Sequence, residues 1–283
     1  MYSVYADDEH IYGAHEDGSI YIWDRETYKL SRELSVPDGG QMLSVYADDE
    51  YIYGANDDSR VYVWKKDGFR LDTVLGEGEY FAESVYADES RLYSANYDRA
   101  VYIWDRPGFS FQTKLDSSRG WMISVYADEE YIYGAAGGRE SVAYLWNQAD
   151  LSLETVLSGP DDDCNAVRAD GTYIYGASSD GNLYLWDYTS FLLVKILTDS
   201  IDQLTAVAPT ADYIYASSLD GSVYAWEKEN LSLHAVIDDA STPLQWVYSD
   251  GEIICGAGRD GNIYIWQPPA AASVQSDFSY PPL

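Results

Sequence analysis

Apolar and polar positions along this chain follow one pattern, restarted about every forty residues. One copy shows its parts. Met42 is followed three residues later by Val45-Tyr46-Ala47; then come Ile52-Tyr-Gly-Ala55, Val61-Tyr-Val-Trp64 and Leu71-Asp-Thr-Val-Leu75. The first three runs are apolar or aromatic at successive positions, as in strands buried on both faces. The fourth alternates, as an outer, half-solvated edge strand does. Between the second and third runs stand Asp17-Gly18, Asp180-Gly181, Asp220-Gly221 and Asp260-Gly261. Asp-Gly between strand signals predicts a tight hairpin, because the turn needs positive φ. Two copies carry Asp58-Ser59 and Asp98-Arg99 instead, and a fourth carries Gly137-Gly-Arg-Glu140 with two extra residues.

The third run ends on Trp in every copy: Trp23, Trp64, Trp104, Trp146, Trp186, Trp226 and Trp266, spaced by 41, 40, 42, 40, 40 and 40 residues. A β-rich repeat of this period predicts a propeller. The expected fold is therefore all-β: a single seven-bladed β-propeller of four-stranded antiparallel blades, one domain over residues 1–283. The third-run Tyr is present in all seven copies, from Tyr21 to Tyr264. It reads as packing between blades, with its hydroxyl free to reach a partner at the blade margin. Met1 stands in the apolar slot of Met42, so the first copy opens on an inner strand. Completion of the last blade is then expected from the tail, through Ala272–Phe278, with no exchange of strands between the two ends.

Composition changes the picture at the surface. Asp and Glu number 48 against 17 Lys and Arg, for a net charge of −31. The carboxylates sit between strand runs, so they predict an acidic folded surface. The balance resembles that of proteins adapted to molar salt, which screens mutual repulsion. Such a charge argues against a nucleic-acid partner. No run of 18 apolar residues is present, and no signal peptide is visible at the start, so neither a membrane span nor export is expected and the chain reads as cytoplasmic. Cys164 and Cys255 fall where other copies have Met42 and Tyr53 and read as core fillers.

In these features the chain resembles the WD-repeat family of β-propellers over residues 1–266. The resemblance rests on the turn Asp and the strand-ending Trp, as in Asp17 with Trp23-Asp24 and Asp180 with Trp186-Asp187; Trp-Asp recurs at Trp104. In that family the turn Asp, the Trp, a Ser or Thr and a loop His form a hydrogen-bonded network. Here only Ser178 and Ser218 supply the Ser, and the Gly-His element is absent. Blades are therefore expected to rely on Tyr and Trp packing. A second resemblance, to quinoprotein-type propellers, rests on Asn182-Leu-Tyr-Leu; that family's terminal Trp is missing.

No nucleophile elbow, no His-Glu-x-x-His and no Cys–His ligand spacing occurs, and histidines are few: His10, His15 and His234. No catalytic residue, metal ligand or cofactor is assigned. Function on a repeat scaffold is expected where copies differ. Tyr80, Phe81, Trp121 and Trp246 are aromatic where other copies have Gln, Asp or Ser. They are candidate binding residues on the face that carries the fourth-to-first connections. Arg168 replaces a Tyr of the innermost strand; it is expected to hold an anion or to neutralise Asp170 or Asp161–Asp163. The carboxylates that follow the innermost strands, Asp7, Asp48, Asp88, Asp128, Asp170, Asp212 and Asp250, read as solvated turns. The WD-repeat resemblance implies a non-catalytic monomeric scaffold for a protein or peptide partner. The alternative is an enzyme or small-ligand or cation sensor with its site in the axial channel, quinoprotein-like or lyase-like.

Overall fold

The computed structural model describes residues 1–36, 39–76, 80–138 and 140–269. It contains seven antiparallel sheets that follow one another along the chain. Six have four strands in sequential order, and the last has three among the described residues. The first blade comprises Ser3–Ala6, His10–Ala14, Ser19–Asp24 and Leu30–Ser35, and the last comprises Leu244–Ser249, Ile254–Gly258 and Ile263–Trp266. The proposed closing segment Ala272–Phe278 lies outside the described residues.

The second strand Tyr51–Asn56 is buried at every position, and its counterparts are buried past their first residue, as their unbroken apolar runs predict. In the first five blades the fourth strands are mostly exposed and bury one apolar residue near their end, Leu34, Leu75, Leu115, Leu157 or Leu197. The Gly of the Tyr-Gly-Ala run has a steric cause. A Cβ on Gly176 or Gly256 would stand 2.8 Å from the indole of its own blade's Trp186 or Trp266. The hairpin turns also behave as predicted. Gly18, Gly181, Gly221 and Gly261 have φ of 85–91°, and Ser59 and Arg99 are held at 76° without the freedom of glycine.

Each blade stacks its third-strand Tyr beside its Trp, with centroids 5.5–6.1 Å apart. The turn Asp does more than bend the chain. Asp17, Asp58, Asp98, Asp180, Asp220 and Asp260 each accept the hydroxyl of that Tyr. In the fourth blade Glu140 takes over this role for Tyr144. An Asp–Tyr bond thus ties the turn to the strand in blades where the loop His is missing.

The carboxylates after the innermost strands are not solvated turns. Asp7, Asp48, Asp88, Asp128 and Asp170 each accept two backbone amides and the hydroxyl of the second-strand Tyr, as Asp48 does from Tyr53 at 2.7 Å. Each is also reached from the following blade by the residue two past its Trp. Lys66 meets Asp7 at 2.5 Å, Arg106 meets Asp48 at 2.6 Å, and Lys228 meets Asp170 at 2.5 Å. Gln148 and Tyr188 serve Asp88 and Asp128 at 3.1 Å. Arg25 closes the circle on Asp250 of the last blade at 2.6 Å. Asp212 is not a member. The equivalent position is Thr210, and the residue due to reach it is Pro268. At that joint both halves are replaced together, and among the described residues the buried Tyr215 hydroxyl has no partner.

Cys164 and Cys255 are buried free thiols, and burial pushes both up to about 12. They pack as core residues. Among the described residues no helix is long and apolar enough to cross a membrane, and no group of three His, Cys, Asp or Glu residues is placed to hold a metal ion.

Candidate functional site

The innermost strands carry a β-bulge at one fixed place. In six blades the pairing register slips at Leu43, Glu83, Ile123, Asn165, Thr205 or Gln245. A bulge leaves one residue unpaired and re-aims its side chain. Here that residue points at the mouth of the axial channel, a cavity of about 360 Å³ also lined by Tyr2 of the first blade. These seven positions hold seven different residues: Tyr, Leu, Glu, Ile, Asn, Thr and Gln. The residue opening each hairpin turn behaves alike: Glu16, Asp57, Tyr97, Gly137, Ser179, Leu219 and Arg259. Both variable rings lie on one face, because the turn residue donates its amide to the residue before the bulged strand. Tyr97 donates to the Phe81 carbonyl and Arg259 to that of Pro243, at 3.0 and 2.9 Å.

Three of the sequence-predicted residues meet there. Tyr80, Phe81 and Trp121 are 58, 48 and 42% exposed. Tyr97 joins them. Its ring stacks on Trp121 at 5.0 Å and 15° and lies 6.0 Å from Phe81. Tyr80, Tyr97 and Trp121 line an open groove of about 700 Å³ together with Phe111 of the outer strand, Arg99, Lys114 and Asp98, whose carboxylate is taken by the Tyr102 hydroxyl. Tyr97 also lines the channel mouth, so groove and channel are continuous. The Tyr97 phenol is pushed up by burial and by the nearby Glu83 and Asp163. Glu83 is itself raised to about 7 by burial and by Asp57. The channel mouth thus holds a carboxyl poised near neutrality.

Trp246 and Arg168 are placed apart from that cluster. Trp246 belongs to the innermost strand of the last blade and lines both the channel mouth and the cavity beneath it. It stands where other copies have Ser or Ala, so a large ring occupies a position that is elsewhere small. Arg168 does not neutralise Asp170, which Lys228 and Tyr175 occupy. Its guanidinium lies over the rings of Tyr126 and Trp246 at 5.3 and 5.4 Å and donates to the Val167 carbonyl. Burial pulls it below its ordinary pKa, against the pull of Tyr126, Tyr86 and Tyr46. Tyr248, Tyr5, Tyr46, Tyr86 and Tyr126 continue the arc round the channel at centroid separations of 4.7–5.0 Å. Together they surround a cavity of about 260 Å³.

Sequence reasoning missed Tyr97, Arg99, Phe111 and Lys114. The signal for Tyr97 was present, since its column holds a different residue in every copy. Phe111 and Lys114 carried none, because outer strands alternate whether or not they border a groove.

Among protein families, the WD domain, G-beta repeat, matches residues 151–187. That span runs from the fourth strand of one blade, Leu153–Leu157, to the third strand of the next, Leu183–Asp187, and ends on Trp186-Asp187. No curated protein matches the chain. WD-repeat propellers commonly act as protein-interaction scaffolds and are typically not enzymes. The repeat match and the seven propeller sheets together support a WD-repeat propeller family for this chain.

Proposed function

We propose that this chain is a non-catalytic scaffold, one domain over its whole length, that binds a protein or peptide segment in the groove of Tyr80, Tyr97 and Trp121, with Phe81 beside Tyr97. The observation that carries this reading is the stack of the exposed Trp121 on the half-buried Tyr97, beside the exposed Tyr80 and Phe81. Large aromatic rings on a rigid rim are the residues on which binding energy concentrates. The fold holds them in place, so little side-chain entropy is lost on binding. Arg99 and Lys114 border the groove in a chain with only 17 basic residues, which suits a segment that mixes apolar and acidic side chains. Selection from a displayed peptide library in high salt tests this. Selected peptides should weaken at least tenfold against Trp121→Ala, with melting unchanged. Equal binding to the variant would move the binding face elsewhere.

Arg168 favours a second reading, a small acid held in the axial channel. Among the described residues, this half-buried arginine, with its guanidinium over two rings, has no carboxylate partner. Thermal shifts with acetate, citrate and phosphate at constant ionic strength should show stabilisation that disappears in Arg168→Tyr, which restores the residue of five of the other six copies. Equal shifts in both proteins would remove the channel as an anion site.

A further inference from the structure

We propose that the mouth of the axial channel binds a small zwitterion, an ω-amino acid whose ammonium group meets Glu83 and whose carboxylate meets Gln245 and Arg259. Most polar groups around the mouth are already satisfied. Asp57 accepts the Gln41 amide at 2.8 Å, and Asp163 accepts that of Gly138. Asn165 donates to the Leu204 carbonyl of the next blade at 2.8 Å, and Thr205 donates to that of Leu244 at 3.0 Å. Gln245 is the next residue in that series. Its amide nitrogen is buried, yet it has no hydrogen-bond partner among the described residues. The half-buried Glu83 likewise makes no hydrogen bond and no ion pair among the described residues, and the Arg259 guanidinium makes none either. All three side chains line one cavity of about 360 Å³.

Blade order sets these groups apart. Glu83 stands on the innermost strand of the third blade, flanked by Leu43 and Ile123 of the blades on either side. Gln245 and Arg259 belong to the seventh blade, so they face Glu83 across the axis. The mouth thus offers a carboxyl on one side and amide and guanidinium donors on the other. Leu43, Ile123 and the Trp246 ring supply apolar wall between them. A lone cation would leave the donors unpaired, and a lone anion would leave Glu83 without a counter-charge. A molecule with both charges on an alkyl spacer meets both ends, and the cavity has the size of a small-ligand site. The titratable groups that face Glu83 are Asp57, Tyr2 and Tyr97, and none of them is a cation. Burial and Asp57 accordingly raise its carboxyl to about 7, where a bound ammonium group would favour the ionised form. These residues are not those of the Arg168 cavity beneath, and this inference does not depend on the peptide-binding reading.

Titration calorimetry of the full chain at constant high salt tests it, with β-alanine, γ-aminobutyrate and ε-aminocaproate as probes and butylamine and butyrate as controls. At least one of the three amino acids should bind, with both controls at least tenfold weaker. Glu83→Gln and Gln245→Leu should each weaken it at least tenfold, while Arg168→Tyr and Trp121→Ala leave it unchanged. Because Glu83 takes up a proton near pH 7, affinity should be about tenfold lower at pH 6 than at pH 8. A further measurement needs no ligand. Folding raises the pKa of this acid, so its ionisation costs stability as pH rises. Glu83→Gln should therefore melt above the wild type, by more at pH 8 than at pH 5.5. No saturable binding by any of the three, equal binding of butylamine, or binding retained by Glu83→Gln would overturn the proposal. So would loss of binding in Arg168→Tyr, which would move the ligand to the cavity beneath. A melting difference that does not change with pH would show that Glu83 already has a counter-charge, and would equally overturn it.

Discussion

Moved from molar salt into dilute buffer, the protein is expected to lose its cooperative fold. The reason lies in which carboxylates are held and which are not. Asp7, Asp48, Asp88 and Asp128 are tied into the blades by hydrogen bonds. Their neighbours Asp8, Glu9, Asp49, Glu50, Glu89, Glu129 and Glu130 are exposed on the same turns, brought together by the repeat. Mutual repulsion among them extends over roughly 10 Å at 0.1 M salt and only about 3 Å at 1 M. With a net charge of −31, that difference acts over the whole surface. Circular dichroism melts across a sodium chloride series should show the transition sharpen and rise with salt. A full cooperative transition in dilute buffer would refute the reading of salt adaptation.

Arg25→Ala should cost about 2–3 kcal/mol, because it opens the joint between the first and last blades and leaves a partly buried carboxylate without its partner. Arg25 spans that joint. It donates to the Asp7 carbonyl of its own blade at 2.7 Å and pairs with Asp250 of the last at 2.6 Å. Although burial pushes the Asp250 carboxyl up, the amides of Ile253 and Glu252 and the Arg25 guanidinium hold it below the ordinary value. The folded pKa is therefore depressed. The joint's contribution is fully present above the usual Asp range and is lost as pH falls through the folded value. Denaturant melts of the wild type and variant at pH 7 and pH 3 should differ most at pH 7. A loss under about 0.5 kcal/mol at pH 7 would mean that apolar packing alone closes the ring. Thr210→Asp with Pro268→Lys is the complementary test at the joint that lacks the pair. The double variant should be more stable than the two single changes predict, by about 1 kcal/mol, with the introduced carboxylate also meeting the Tyr215 hydroxyl.

Much of this architecture is legible in the sequence because it is said seven times. The Trp spacing, the Asp-Gly turns and the strand runs each depend on neighbours within one copy, so local patterning announces them. The candidate site is legible only in part. Phe81 and Trp121 stand out as departures from the repeat, but nothing local shows that Tyr97 stacks on Trp121, because the two lie on different blades. Arg168 shows the opposite failure. Asp170, two residues along the chain, looked like its partner, yet strand alternation and the channel turn it toward Tyr126 and Trp246.

By itself, then, the sequence determines the number of blades, their strands and turns, and the acidic surface, since these follow from residue order and charge. Which carboxylates are bonded and which repel, and which aromatics form a groove, are decided only by tertiary structure. Lys66 reaches Asp7, and Trp121 stacks on Tyr97, across neighbouring blades, and Arg25 reaches Asp250 from the other end of the chain, so only the packing of blades and the closing of the ring bring these partners within reach.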